Sequence, residues 1–180
     1  MARIELWNGD ICDLEVDAIV SPASTSLWMS TGVAGELKRT GGDEIEFAAL
    51  RLAPAQLGDA VVTPAGRLAA RVVIHAVSLG RDRRTNATAL DHAARSAMAR
   101  ARELGLASIA FPALGTGVGG YPLDDAALVT VRAVREELPK STTIQHVIFA
   151  MRGAAVYDAF EAAMAATASE TEGATPQGIA

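Results

Sequence analysis

The chain predicts a three-layer α/β/α sandwich with a mixed, largely parallel central sheet, and three observations carry that prediction. Short apolar strand signals alternate with amphipathic helical ones along 180 residues, which is how crossover-linked strands read. Half of the residues are apolar, with Gly and Pro at ordinary levels, enough to bury one core and too few for two comfortable domains. The late segments "ASIAFPAL" and "QHVIFAM" are almost wholly apolar, as strands covered on both faces are.

Taken in order, "RIELW" (Arg3 to Trp7) alternates and stops at Asn8-Gly9-Asp10, where Gly9 can supply a positive φ. "DAIVSPA" (Asp17 to Ala23) is an apolar run broken by Pro22. "GDAVVTP" (Gly58 to Pro64) and "ARVVIHAVSL" (Ala70 to Leu79) are β-branched, with turn material from Pro64 to Gly66 between them. From Thr88 to Leu104, the residues Leu90, Ala94, Ala97, Met98, Ala101 and Leu104 recur at helical steps, and Thr88 with Asp91 forms a capping pair. From Pro122 to Leu138 the stripe is Leu123, Ala127, Val131, Val134 and Leu138, with Pro122 at the first helical position and Asp124 and Asp125 facing the helix dipole. A further helix is expected over Ala155 to Ala166, and shorter ones after Gly32 and Gly42. One domain over 1–166 is therefore expected. The small, polar run of 167–180 has almost nothing to bury and reads as a disordered tail.

Net charge is −5 and the sequence pI about 5.2, so no overall positive field draws the chain to nucleic acid or anionic lipid, and any anion must be held by local donors. No apolar run approaches the roughly 20 residues of a bilayer span. With Cys12 the single cysteine and no basic, apolar leader, a cytoplasmic protein is expected, with a monomer as the default.

Gly115, Gly117 and Gly120 stand in the spacing G-x-G-x-x-G, yet they follow a late strand. The position about 20 residues on falls inside the following helix, not at the end of a second strand, so the dinucleotide fingerprint fails. A P-loop fails too, because no Lys-Ser or Lys-Thr follows. What remains is backbone able to approach a ligand closely, ahead of a helix N-terminus that favours anions. A second strand-to-helix loop of the same kind lies at residues 21–42, around Gly32-Val33-Ala34-Gly35. If the two strands are neighbours, both loops face one crevice and suit a ligand with two phosphates. Asp10, just after the first strand, can accept from an exocyclic amine.

These residues together resemble the macro domain, the ADP-ribose-binding module. The matching pieces are "NGDI" (Asn8 to Ile11), "VDAIV" (Val16 to Val20), Leu27 with "GVAGEL" (Gly32 to Leu37), "VIHAV" (Val73 to Val77) and "SIAFPALGTGVGGYPL" (Ser108 to Leu123). The resemblance implies that Asp10 accepts from the adenine amine and that the N–H of Ile11 serves a ring nitrogen. It implies that Gly32, Val33 and Ala34 contact the diphosphate and distal ribose, and that Thr116, Gly117, Val118, Gly119, Gly120 and Tyr121 form the second phosphate loop. Phe149, Ala150 and Met151 match the segment beside the adenine, with Met151 or Arg152 covering the base. No cofactor or metal is implied, and the partner is ADP-ribose or an ADP-ribosylated protein.

The chain departs from the family at positions that bear on catalysis. Ser21-Pro22-Ala23-Ser24 replaces the usual Asn-Ala-Ala-Asn, so the hydroxyl of Ser24 stands for an amide that orients the distal ribose. Met29, Ser30 and Thr31 stand where glycines are usual, Ala34 where one hydrolase branch has aspartate, and Gly119 where many members have an aromatic. No matched side chain is an obvious general base. Catalysis would then rest on orientation by Ser24 and Gly32 of a water held by the substrate's own phosphate, and loss of an orienting group would cost about 10² to 10³ in rate. Two functions stay open: weak hydrolysis of ADP-ribosyl esters, including acidic-residue linkages, O-acetyl-ADP-ribose and ADP-ribose 1''-phosphate, or recognition of ADP-ribose without turnover. General nucleic-acid binding is disfavoured by the charge. His75, Cys12 and Trp7 read as core, and His92 and His146 lack partners at zinc-ligand spacing.

Overall fold

The computed structural model describes residues 2–141 and 143–172. Its centre is a six-stranded sheet: β1 (Arg3–Asn8), β2 (Val16–Ser24), β3 (Ala60–Pro64), β4 (Ala70–Leu79), β5 (Ser108–Phe111) and β6 (His146–Met151), in the order β1-β6-β5-β2-β4-β3. All neighbours run parallel except the edge pair β3–β4. The expected mixed, largely parallel sheet is what forms.

Because successive strand side chains point to opposite faces, the same strands build two cores. Ala18, Val20, Ile74, Ile109, Phe111, Val147 and Phe149 face one layer, made by α3 (Ala87–Glu103), α4 (Leu123–Glu137) and α5 (Ala154–Glu172). Ile19, Val73, Ala110 and Ile148 face the other, where α1 (Gly32–Gly41) and α2 (Glu44–Leu50) contribute Leu37 and Ile45. Phe149 joins Phe111 and Phe160 in a tilted aromatic stack with centroids 6.0 and 5.5 Å apart, a geometry that suits the ring quadrupoles. Trp7 packs on the second core, and its indole occupies the space a Cβ on Gly9 would need.

Four local expectations are corrected. Asn86, not Thr88, caps α3, its Oδ1 accepting from the N–H of Ala89 at 2.8 Å. Asn in extended backbone reaches that amide, whereas Thr88 is already inside the first turn. Pro122 sits one place before α4 rather than within it, with φ −54° and ψ 129°. Finally, α5 continues to Glu172, six residues beyond the expected end at 166, because Thr167 turns inward and its hydroxyl donates to the carbonyl of Ala163 at 2.9 Å. The remainder of the expected tail, 173–180, lies outside the described residues. In α3, Leu104 falls at the C-terminal cap and is exposed, so the buried stripe ends at Ala101.

The sheet order also fixes where a crevice opens. The chain leaving β2 runs toward β4 and β3, while the chain leaving β5 runs through α4 to β6, so the two connections part at the carboxyl ends of adjacent strands. That divergence is where open α/β sheets bind ligands. Pairing between β2 and β5 stops at Ile19 and Ala110, whereas β2 stays paired with β4 through Pro22 and beyond.

Candidate ligand cleft

A cleft of about 1260 Å³ runs along these carboxyl ends, larger than the roughly 300–1,000 Å³ of sites for drug-sized ligands. Asp10, Ile11, Ser24, Gly32, Val33, Ala34, Thr116, Gly117, Val118, Gly119 and Met151 all line it. Residues more than a hundred positions apart are thus brought together because β2 lies beside β5 and β1 beside β6.

At one end, Asp10 uses Oδ1 to accept from the N–H of Cys12 at 2.9 Å, capping a 3-10 turn over Ile11–Asp13. That bond fixes the carboxylate and leaves Oδ2 facing outward, where Arg152 Nη1 donates at 3.4 Å. Arg152 is exposed and Met151 is only 1% exposed, packed in the α3–α4–α5 core. Of the two residues expected over a base, Arg152 is therefore the exposed one. Met151 forms floor instead.

In the middle, α1 begins without a side-chain cap: Thr31 is extended and makes no cap bond. The first-turn N–H groups of Gly32, Val33 and Ala34 are thus left to an outside acceptor, with the positive end of the helix dipole behind them. Gly32 has φ 59° and nothing within 4 Å of the place of a Cβ. Across from it, Gly117 also has nothing within 4 Å, so both glycines keep space open. Gly120 and Tyr121 do not line the cleft. The N–H of Gly120 donates to the carbonyl of Gly117 at 3.1 Å and that of Tyr121 to Gly115 at 3.0 Å, closing the loop on itself, while the Tyr121 ring packs on the core. The start of α4 lies outside the cleft wall too, so this loop offers amides rather than a helix terminus.

Toward the other end, Ser24 Oγ and Ser26 Oγ share a hydrogen bond of 2.8 Å. A Cβ at Gly119 would fall 2.7 Å from Leu79 Cδ2, so Leu79 fills the ground beside Gly119 and no aromatic fits there without moving it. Beyond lie Trp28 and, from outside the sequence motifs, Leu50, Ala53, Pro54, Arg81 and Arg83. Side-chain carboxylates in the lining are Asp10 and Glu36, and Arg39 Nε donates to Glu36 at 3.1 Å.

Other singled-out residues are structural. His75 is buried, its Nε2 is 2.9 Å from Thr63 Oγ1, and burial pushes its pKa down to about 4, so it is neutral at pH 7. Burial pushes the Cys12 thiol up to about 11, which keeps it protonated and unreactive. His146 Nε2 lies 2.9 Å from Glu5 Oε2, and no cluster of metal-ligating groups occurs among the described residues. No helix among them is long and apolar enough to cross a membrane.

A six-stranded mixed sheet, helices on both faces and a glycine-walled cleft at the β2–β5 edge are the frame of the macro domain. The family model for the Macro domain matches residues 20–130, and the chain belongs to that family. The O-acetyl-ADP-ribose deacetylase of Salmonella gallinarum is 39% identical over 155 residues, 82% of this chain and 86% of the relative. A Mycobacterium tuberculosis protein described as uncharacterized is 43% identical over 166 residues, 92% of this chain and 46% of its own length. The chain therefore spans about half the length of such mycobacterial relatives. Among solved structures, the Trypanosoma brucei macrodomain in complex with ADP-ribose is similar with TM-score 0.83 at 30% identity, over 89% of this chain and 68% of that one. An Oceanobacillus iheyensis macrodomain variant shares the fold with TM-score 0.85 at 24% identity, over 93% of each chain.

Proposed function

We propose that this domain binds ADP-ribose, with adenine at Asp10 and diphosphate between the Gly32–Ala34 and Thr116–Gly119 loops, and slowly hydrolyses an ester at the distal ribose. The observation that carries the reading is one continuous cleft with a fixed carboxylate at one end and two loops of open amides in the middle. An acidic chain thereby gains an anion site from oriented N–H groups rather than from Lys or Arg. The relatives named for ADP-ribose and for O-acetyl-ADP-ribose deacetylation support the ligand and the reaction class.

Hydrolysis here is a matter of orientation. Asp10 belongs to the adenine end and Glu36 is held by Arg39, so neither is a free base beside Ser24. Water would be activated by the bound substrate's own phosphate, with the amide cradle stabilising developing charge. The same lack of a free base favours a second reading, a domain that recognises ADP-ribose without turnover.

Calorimetric titration with ADP-ribose, AMP and NAD, paired with release of ADP-ribose from a glutamate-modified protein, separates the two. Tight ADP-ribose binding with slow release supports the hydrolase, and binding without release leaves the recognition module. Asp10→Asn keeps the acceptor for Cys12 N–H but loses a charge-assisted bond to an amine, so affinity should fall by about 1.5–3 kcal/mol. No binding of ADP-ribose by the unaltered chain would end both readings.

A further inference from the structure

Strand order lays the carboxyl-edge loops in a row. Asp10 follows β1, Arg152 follows β6, Gly115–Gly120 follow β5, the Ser24–Ala34 segment follows β2, and Gly80–Thr85 follow β4. With adenine at Asp10 and diphosphate between the middle loops, the distal ribose reaches Ser24. Whatever is bonded to that ribose then falls on the β4 loop.

That end of the cleft has its own chemistry. Arg81 and Arg83 line it, both exposed, and neither makes an ion pair among the described residues. By contrast, Arg152 in the same cleft is paired with Asp10, and Arg39 beside it with Glu36. The loop is shaped without using the two guanidinium groups. Gly80 N–H donates to the Arg84 carbonyl at 2.9 Å, Arg83 N–H to the Gly80 carbonyl at 3.0 Å, and Arg84 N–H to Asp82 Oδ1 at 3.1 Å. Arg83 is held at φ 62°, a left-handed conformation uncommon for a non-glycine residue. The rest of this end is apolar: Leu50, Ala53, Pro54 and Trp28, the last 61% exposed. Leu27 at φ 60° is buried beneath the turn that presents the indole.

We propose that this end of the cleft is a subsite for the acidic polypeptide segment that carries the ADP-ribose, its carboxylates meeting Arg81 and Arg83 and its apolar side chains meeting Trp28 and Pro54. The inference rests on the proposed binding of ADP-ribose in the cleft. Charge complementarity selects an anionic occupant in a chain whose net charge is −5, since local unpaired cations must do what the overall field does not. A nucleic-acid strand fits less well, because it asks for a series of aromatic platforms along a basic groove, and here one aromatic stands among aliphatic groups.

The test uses ADP-ribose joined through a hydrolysis-resistant bond to a short peptide with glutamates around the attachment, the same conjugate with serines in their place, an ADP-ribosylated oligonucleotide, and free ADP-ribose. The unaltered chain should bind the glutamate conjugate about tenfold more tightly than the serine one, two exposed ion pairs being of that order. Added salt should shrink the difference. In the double variant Arg81→Glu, Arg83→Glu the preference should vanish or reverse, and Trp28→Ala should weaken both peptide conjugates relative to free ADP-ribose. Equal binding of the two peptide conjugates by the unaltered chain overturns the subsite, and tighter binding of the oligonucleotide conjugate overturns the polypeptide. Failure to bind free ADP-ribose is a different result, which removes the proposed function itself.

Discussion

The two loops that wall the cleft present backbone amides to the same space and are held in shape by opposite means. In the segment after β2, Leu27 and Met29 are buried, and the N–H of Met29 donates to Glu46 Oε2 at 2.8 Å. Glu46 is itself buried on α2 and takes Lys38 Nζ on its other oxygen at 3.1 Å. Among the described residues, the segment after β5 has no such support from a side chain. Its turn closes through its own Gly120–Gly117 and Tyr121–Gly115 bonds, and its fit to the core depends on a missing Cβ at Gly115. One loop is shaped by a charge supplied from another helix. The other is shaped by its own backbone, so sensitivity to mutation should fall in different places.

The largest effect belongs to Glu46. Glu46→Ala removes the acceptor of a buried amide and leaves Lys38, itself partly buried, without its counterion, so we expect a loss of about 3 kcal/mol in stability, read by urea denaturation, together with weaker ADP-ribose binding. Glu46→Gln keeps an acceptor for Met29 and should cost about 1 kcal/mol. If Glu46→Ala changed stability by under about 0.5 kcal/mol, the packing of Leu27 and Met29 alone would hold the first loop and the comparison would break.

Glycine substitutions sharpen the other side. A Cβ on Gly115 would lie 2.6 Å from Leu90 Cδ2 and 3.2 Å from Thr85 Cγ2, at φ 75°. Left-handed strain and overpacking together should make Gly115→Ala cost about 2 kcal/mol of stability. Gly117→Ala meets nothing within 4 Å, so stability should hold within about 0.5 kcal/mol while ADP-ribose affinity drops about tenfold, or about 1.4 kcal/mol. Gly117→Glu should fill the cleft with the fold intact. A thermal melt and a titration on each variant separate the glycine that guards the fold from the glycine that guards the space.

The contrast also explains what the sequence made legible. Period-two and helical patterns report which face of an element is buried, and so the strands, α3, α4 and both loops could be read in place. Asp10 and the glycines belong to local turns, which sequence also reports. Strand adjacency is not local: that β4 lies next to β2 cannot be read from one chain, so Arg81, Arg83 and Leu50–Pro54 had no signal tying them to Ser24. Gly120 and Tyr121 misled for a related reason. Their glycine spacing resembles that of phosphate loops, but their N–H groups close the turn. At Gly119 the sequence showed an absent aromatic, and only packing showed Leu79 beside the vacancy.

Ser24 should give the smallest change, and it bears on whether the cleft is catalytic. Its hydroxyl is already matched by Ser26 at 2.8 Å, so a ribose hydroxyl must compete with an existing bond and gains about 1 kcal/mol at most. Ser24→Ala should thus weaken ADP-ribose binding by about fivefold or less and leave stability within about 0.5 kcal/mol. Ser24→Asn restores the amide that macro domains more often carry at this place, with a longer reach over the distal ribose. If that amide orients the reacting carbon, turnover should rise toward the factor of about 10² that one orienting group supplies, with little change in affinity. Affinity rising while turnover stays fixed would make the position a contact felt equally by bound substrate and transition state. The cleft would then be shaped for holding ADP-ribose rather than for cleaving its ester.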